Sequence, residues 1–115
     1  NPHTGIDLYV GQGGAPEGVL AAAALKCVGG QMLGRLVFRN DDERKRAERT
    51  GITDFDRTYS LNELASGDTV FCATGVTDGS MLSGVKSADG RVHTHTLVMT
   101  SLDGMVRYVR SDHKV

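Results

Sequence analysis

The sequence contains little cysteine, no tryptophan and no long run of apolar residues. Its two cysteines, Cys27 and Cys72, each lie inside an apolar stretch, which favours two buried, reduced thiols over a disulfide or a metal pair. No apolar stretch reaches the roughly 18 residues that a membrane span needs, and no secretory leader pattern is present. We therefore expect neither a disulfide-stapled domain nor a membrane protein, and we expect a cytoplasmic location.

An excess of charge of either sign is also lacking. Thirteen Lys and Arg residues face fourteen Asp and Glu residues, for a net charge of -1, so nothing attracts the chain generally to nucleic acid or to an anionic membrane. The 115 residues, 39% of them apolar, suit one soluble domain at most. Because the sequence starts at Asn1 without a methionine, we interpret it as a piece of a longer protein.

The first third of the chain has the pattern of a strand, a helix and a second strand. Residues 6–10, IDLYV, predict a buried strand. A helix should then begin near Pro16, where a missing N–H costs nothing, and end at Gly29. Residues 31–39, QMLGRLVFR, predict the second strand. Two strands joined by a helix are typical of a βαβ unit with parallel strands, and hence of an α/β fold.

Helix-start signals follow this unit. Asn40 should cap a charged helix whose acids precede its bases, the order that complements a helix dipole. Ser60 and Glu63 have the spacing of a capping box for a short helical turn.

The sequence pattern of the last half of the chain predicts strands. Residues 69–75, TVFCATG, favour a buried strand, and three more strand-like runs follow at 81–86, 91–100 and 105–110. Asp-Gly pairs at 89–90 and 103–104 join them, and Asp-Gly between alternating runs is a strong hairpin signal. The C-terminal part is therefore predicted to be an antiparallel meander in a mixed sheet.

Residues 11–18, GQGGAPEG, form a glycine-rich loop at the predicted strand-to-helix junction. The spacing fits neither the dinucleotide fingerprint nor the phosphate loop, since no Gly-Lys-Ser/Thr follows Gly18. What remains is a helix start whose N–H groups can face a phosphate or sugar. Glu17 could hold a divalent cation there, or it could simply complement the helix dipole.

Other chemistry-bearing residues have ordinary interpretations. His93 and His95 share one strand face and could bind zinc. No third ligand is spaced nearby, so a solvated or interface pair is favoured. Asp78 lies after a predicted strand, where ligands often bind, but a turn-forming role is the stronger interpretation. Arg107 and Arg110, three apart on one strand, lie on opposite faces and do not form one anion clamp. Arg35 could reach an anion or equally cover apolar surface, and all three arginines are left out of the predicted site.

Three runs together resemble the C-terminal part of the class II fructose-1,6-bisphosphatases of the GlpX type. They are GIDLYVGQGGAPEGVLAAAALKCVGGQMLGRL, DTVFCATGVTDGSMLSGV and THTLVM, in the family's order. The resemblance implies part of the layered αβαβα fold of the sugar phosphatases. It also implies hydrolysis of fructose 1,6-bisphosphate to fructose 6-phosphate and phosphate, with Mn²⁺ or Mg²⁺ as cofactor.

Matched by motif, Glu17 corresponds to a metal-binding glutamate of that family and Gly14 to a glycine whose backbone contacts substrate. The family's other metal ligands, its water-activating segment and its Lys-x-Arg phosphate clamp have no counterpart in residues 1–115. The resemblance thus implies that this chain carries no catalytic residue of its own. Its partners would be the sugar bisphosphate, the N-terminal half of the same enzyme and further copies in a homo-oligomer. The alternative is a non-catalytic sugar-phosphate-binding or subunit-association module.

Overall fold

The computed structural model describes residues 2–115, which form helices and strands in two antiparallel sheets. A 3₁₀ turn spans Pro2–Thr4. The helices are α1 (Ala15–Cys27), α2 (Asp41–Arg49) and α3 (Leu61–Leu64). The strands are β1 (Leu33–Arg35), β2 (Thr58–Ser60), β3 (Val70–Thr74), β4 (Lys86–Ala88), β5 (Arg91–Thr100) and β6 (Val106–Lys114).

Helix α1 begins and ends where its sequence signals lie. Gly14 is its N-cap and Pro16 lies in its first turn. At the other end Gly29 adopts a φ of 74°, and the N–H of Gly30 donates to the carbonyl of Leu25 at 2.9 Å. Gly29 suits this place because only glycine enters the left-handed region without a Cβ penalty.

Both predicted side-chain caps are present. The side chain of Asn40 accepts the backbone N–H of Glu43 at 3.0 Å and starts α2. Ser60 and Glu63 form the reciprocal capping box of α3, with Ser60 accepting from the N–H of Glu63 and donating its own N–H to the carboxylate. These caps satisfy N–H groups that a helix start otherwise leaves without partners.

Strand β5 is the centre of the larger sheet. It pairs with β6 along one edge, while β3 and β4 follow one another along its other edge. The turn between β4 and β5 places Asp89 and Gly90 at φ values of 52° and 69°, as a two-residue type I′ hairpin requires. The predicted C-terminal antiparallel meander is confirmed.

The core lies where α1 packs on this sheet. Side chains on one face of β5, Leu97 and Met99, are 1% and 5% exposed and contact Cys27 of α1. Phe71 of β3 packs against the same cluster. The thiol of Cys27 also donates to the carbonyl of Thr69 at 3.6 Å, so this cysteine is fixed in the core.

The α/β class is confirmed, but the first strand of the predicted βαβ unit is absent. Residues 5–14 form no helix or strand, and the apolar side chains of IDLYV are exposed, Leu8 by 79% and Val10 by 84%. Strand β1 pairs antiparallel with β2 instead. A strand needs a neighbour to complete its backbone hydrogen bonds, and in the structure residues 6–10 have none.

The prediction of two buried thiols is right for Cys27 and wrong for Cys72. Cys72 is exposed because it lies opposite Val98, on the face of the sheet that α1 does not cover. Successive strand residues point to opposite faces, so its neighbour Phe71 reaches the core while Cys72 does not.

The described chain is elongated. Its extents are 54 × 30 × 27 Å, and its Cα radius of gyration is 17.6 Å, against about 13 Å for a compact domain of this length. Among residues 2–115, none of the helices is long and apolar enough to cross a membrane.

A truncation at the centre of the core should destabilise the fold strongly. We expect Leu97→Ala to lower the free energy of unfolding by about 3 kcal/mol, because it leaves a cavity beneath α1. Leu102→Ala makes the same chemical change at a side chain that is 73% exposed, and it should cost less than about 0.5 kcal/mol. Urea unfolding measures both, and equal losses would contradict the placement of the core.

The capping box should be visible in a titration. The pKa of Glu63 lies below its ordinary range because its carboxylate accepts the N–H of Ser60 and pairs with Arg57 at 2.6 Å. A carboxyl whose pKa is lowered by folding contributes stability above its unfolded pKa, and that contribution is lost as the pH falls through the folded pKa. Because the pKa is lowered, the pH titration of the Glu63 carboxyl followed by NMR should have its midpoint below about 4.3, the ordinary glutamate value.

Arg57→Gln should raise that midpoint toward the ordinary value. Lys45→Gln removes a positive charge from α2 instead and should leave the midpoint unchanged. A midpoint for Glu63 in the unmodified protein at or above about 4.3 would mean that these hydrogen bonds do not persist in solution.

Candidate functional site

The glycine-rich loop leads directly into the N-terminus of α1. Gly14, as the N-cap, has no side chain to cap the helix, and its carbonyl accepts the first intrahelical bond from Gly18 at 3.0 Å. Pro16 has no N–H, so the backbone donors that lack an intrahelical acceptor at this end are those of Gly14, Ala15 and Glu17. A helix start of this kind presents N–H groups and the positive end of the dipole to a bound anion.

The two residues singled out from the sequence, Gly14 and Glu17, lie together here. The Glu17 carboxylate folds back over Gly14 so closely that a Cβ at Gly14 would overlap Oε2 of Glu17. A Cβ at Gly13 or Gly18 would meet nothing within 4 Å. The absence of a side chain at Gly14 is therefore what lets the carboxylate lie against the loop backbone.

The exposed carboxylate of Glu17 can offer hard oxygen atoms to Mg²⁺ or Mn²⁺. No group of three or more His, Cys, Asp or Glu side chains that could hold a metal occurs within residues 2–115. The described chain therefore supplies one candidate ligand at this loop and does not form a complete metal site.

The loop after β3 is held by Asp78. Its Oδ1 accepts the N–H of Gly84 at 2.8 Å, across the turn, while Gly75 at the start of the loop donates to the carbonyl of His95 at 3.0 Å. Asp78 thus positions the chain between β3 and β4, in keeping with a turn-forming role.

His93 and His95 lie on one face of β5, and each has its own partner. Nδ1 of His93 contacts Oδ1 of Asp112 on β6, and this hydrogen bond holds the pKa of the Asp112 carboxyl below its ordinary range. Nδ1 of His95 accepts the backbone N–H of Ser83 at 3.0 Å. The two rings are therefore directed by different groups rather than toward a shared third ligand.

A pocket of about 360 Å³ opens beside these histidines, between β4 and β6. Lys86 and Arg110 line it together with His93, His95 and Asp112. The sequence alone leaves Arg110 out of the site, because its three-residue spacing from Arg107 puts these two arginines on opposite faces of one strand. The signal that finds it is strand register, which sets Arg110 opposite His95.

The remaining arginines singled out from the sequence lie elsewhere. Arg107 of β6 pairs at 2.9 Å with Asp103, which lies in the turn before that strand. Arg35 lines a second pocket, of about 280 Å³, with Phe38, Arg44 and Phe55 among its neighbours. Neither arginine contributes to the loop of Gly14 or to the pocket beside the histidines.

Comparison with known proteins shows the family to which this sequence belongs. Residues 1–113 match the family of bacterial fructose-1,6-bisphosphatases encoded by glpX. The chain is 39% identical to a "D-fructose 1,6-bisphosphatase class 2/sedoheptulose 1,7-bisphosphatase" of Synechococcus sp. strain JA-3-3Ab, and 39% identical to a protein of the same name from Prochlorococcus marinus strain MIT 9301. Each alignment covers 96% of this chain but only 35% and 37% of the relative. The chain therefore belongs to the glpX-encoded family of bacterial fructose-1,6-bisphosphatases.

Proposed function

We propose that residues 1–115 are the C-terminal portion of a class II fructose-1,6-bisphosphatase. Joined to an N-terminal catalytic portion, this enzyme would hydrolyse fructose 1,6-bisphosphate to fructose 6-phosphate and phosphate. The observation that carries the proposal is the contact of the Glu17 carboxylate with the backbone of Gly14 at a helix N-terminus. Family membership supports the choice of substrate, and the relatives' names add the seven-carbon bisphosphate as a second compound to assay.

Gly14 and Glu17 would have complementary roles at this loop. The backbone at Gly14 would contact the sugar phosphate, since glycine has no side chain of its own to keep a ligand away from the main chain. Glu17 would give one oxygen ligand to Mn²⁺ or Mg²⁺. Such a cation polarises a phosphate ester and lowers the pKa of a bound water.

The other ligands and the water-activating groups would come from the N-terminal portion, because one carboxylate cannot hold a catalytic cation alone. The exposed apolar segment at residues 6–10 supports a covering partner of this kind, since contiguous exposed apolar surface marks interaction sites. We also propose that the complete enzyme works in the cytoplasm as a homo-oligomer.

The role of Glu17 is tested by phosphate release from fructose 1,6-bisphosphate in Mn²⁺. We expect activity in the protein as its gene encodes it and none in the 115-residue chain alone. Glu17→Gln in the encoded protein should lower kcat/KM by about 100-fold or more, because losing a charged metal ligand removes several kcal/mol of transition-state stabilisation. Raising the Mn²⁺ concentration should restore part of the lost kcat/KM.

Glu48→Gln is the matched control, since it neutralises an exposed glutamate of α2 and should leave kcat/KM unchanged. An active isolated chain would contradict the proposed incompleteness. Full activity of Glu17→Gln would instead mean that residues 1–115 form a non-catalytic part of the enzyme, a sugar-phosphate-binding or association module. Glu17 would then act only on the helix dipole.

The close approach at Gly14 gives an independent test. Gly14→Ala should displace the Glu17 carboxylate, because the new Cβ overlaps Oε2, and we expect kcat/KM to fall by about 10- to 100-fold, as a misplaced catalytic group does. Gly18→Ala adds the same methyl group where nothing lies within 4 Å and should leave activity near the unmodified level. Thermal unfolding of both variants checks that the fold is retained. Equal effects at Gly14 and Gly18 would contradict the special role of Gly14.

A further inference from the structure

One face of β5 changes from apolar to polar along its length. Leu97 and Met99 lie beneath α1 at one end, and His95 and His93 follow on the same face toward the other end, because side chains alternate along a strand. No helix packs over the histidines among residues 2–115; they open instead into the pocket of about 360 Å³. Such a volume lies at the lower end of the range for small-molecule sites.

Nε2 of His95 is available as a hydrogen-bond donor to a ligand. Its Nδ1 accepts the N–H of Ser83, so in the neutral ring the proton must reside on Nε2. This nitrogen can donate to a ligand without first taking up a proton.

His93 is oriented by Asp112, the residue directly opposite it on β6. The carboxylate accepts from Nδ1 and thereby fixes the ring. Because the same contact occupies one oxygen of Asp112, that oxygen is turned toward the His93 ring, and the carboxylate is a weaker obstacle to an incoming anion than a free one would be.

Two positively charged side chains flank the histidines. Lys86 of β4 lies opposite His93, and Arg110 of β6 lies opposite His95. Arg110 has no ion-pair partner within residues 2–115, and the partner of Lys86, Asp78, is 3.8 Å away, beyond hydrogen-bonding distance. Both cations therefore keep donors for a ligand.

The backbone that forms the wall of the pocket beside His95 is closely packed. Gly84 is buried, and a Cβ there would lie 2.7 Å from the carbonyl carbon of Thr77. A Cβ at Gly75 would overlap the carbonyl oxygen of Ser83. The segment that directs His95 and leads into Lys86 thus has little room to move, which lowers the entropic cost of binding.

We propose that this pocket binds the phosphate group of a small phosphorylated molecule, held by Lys86, Arg110 and the Nε2–H of His95. A guanidinium offers a planar fork that matches phosphate oxygens, an ammonium adds a point charge, and the imidazole adds a directed donor. This site is assigned from its own residues and does not depend on the hydrolysis proposed above.

The test follows the histidine ring signals by NMR while inorganic phosphate is added at constant pH to the protein as its gene encodes it. We expect His93 and His95 to shift with one common saturation curve. His113, whose Nε2 lies 3.1 Å from the Thr94 hydroxyl on the other face, should not follow it. Because the readout is local to these rings, phosphate bound at Glu17 does not affect the result.

Charge variants locate the site. Lys86→Gln and Arg110→Gln should each raise the dissociation constant by about tenfold, the effect of losing one charge-assisted hydrogen bond. Lys86→Arg should retain most of the affinity. Arg107→Gln removes the same charge from the opposite face of β6 and should leave the dissociation constant unchanged.

A second arm uses glycerol 3-phosphate in place of phosphate. Tighter binding of the ester would identify a phosphorylated metabolite as the ligand class, and equal binding would restrict recognition to the phosphate group; either result supports the site. The proposal is overturned if neither His93 nor His95 shifts in millimolar phosphate. It is also overturned if Arg107→Gln weakens binding as much as Arg110→Gln, which would mean diffuse charge attraction.

Discussion

Cys27 from α1 packs against Leu97 and Met99 from β5, and all three side chains are almost completely removed from solvent. This contact holds the principal helix on the sheet, so it also determines where the N-terminus of α1 lies. The 12-residue separation from Ala15 to Cys27 places the glycine-rich loop about 18 Å along the helix axis from this anchor. Gly14 and Glu17 are thus carried at the free end of an element whose other end is fixed.

The face of β5 that packs against α1 also carries the pocket beside His93 and His95. Where α1 covers β5 the face is apolar, and where the helix does not reach, the strand bears histidines flanked by Lys86 and Arg110. A single ten-residue strand can serve both purposes because its side chains alternate and its neighbours differ along its length.

Several large apolar side chains of this chain are exposed to solvent. Four of the five residues at 6–10 are apolar but exposed, and the radius of gyration exceeds that of a compact domain. The relatives, which are about three times as long by the shares covered, are consistent with surfaces that are buried in a larger protein.

The sequence by itself determined the features that depend on neighbouring residues. The caps at Asn40 and Ser60, the helix from the Pro16 region to Gly29, and the hairpin at Asp89 follow from local hydrogen bonding and backbone freedom, so their patterns could be read directly. The association of Gly14 with Glu17 was also predictable, because residues three apart at a helix start are neighbours in space.

Only the tertiary structure decided the features that depend on distant residues. Residues 6–10 have the composition of a strand, yet a strand exists only where another supplies its hydrogen bonds, and no local pattern contains that partner. Cys72 is exposed because α1 covers only the opposite face of β3. Arg110 lies opposite His95 through strand register, which is set by turns and packing outside either segment. Local chemistry specifies each element, and the long-range pairing of elements specifies which side chains meet.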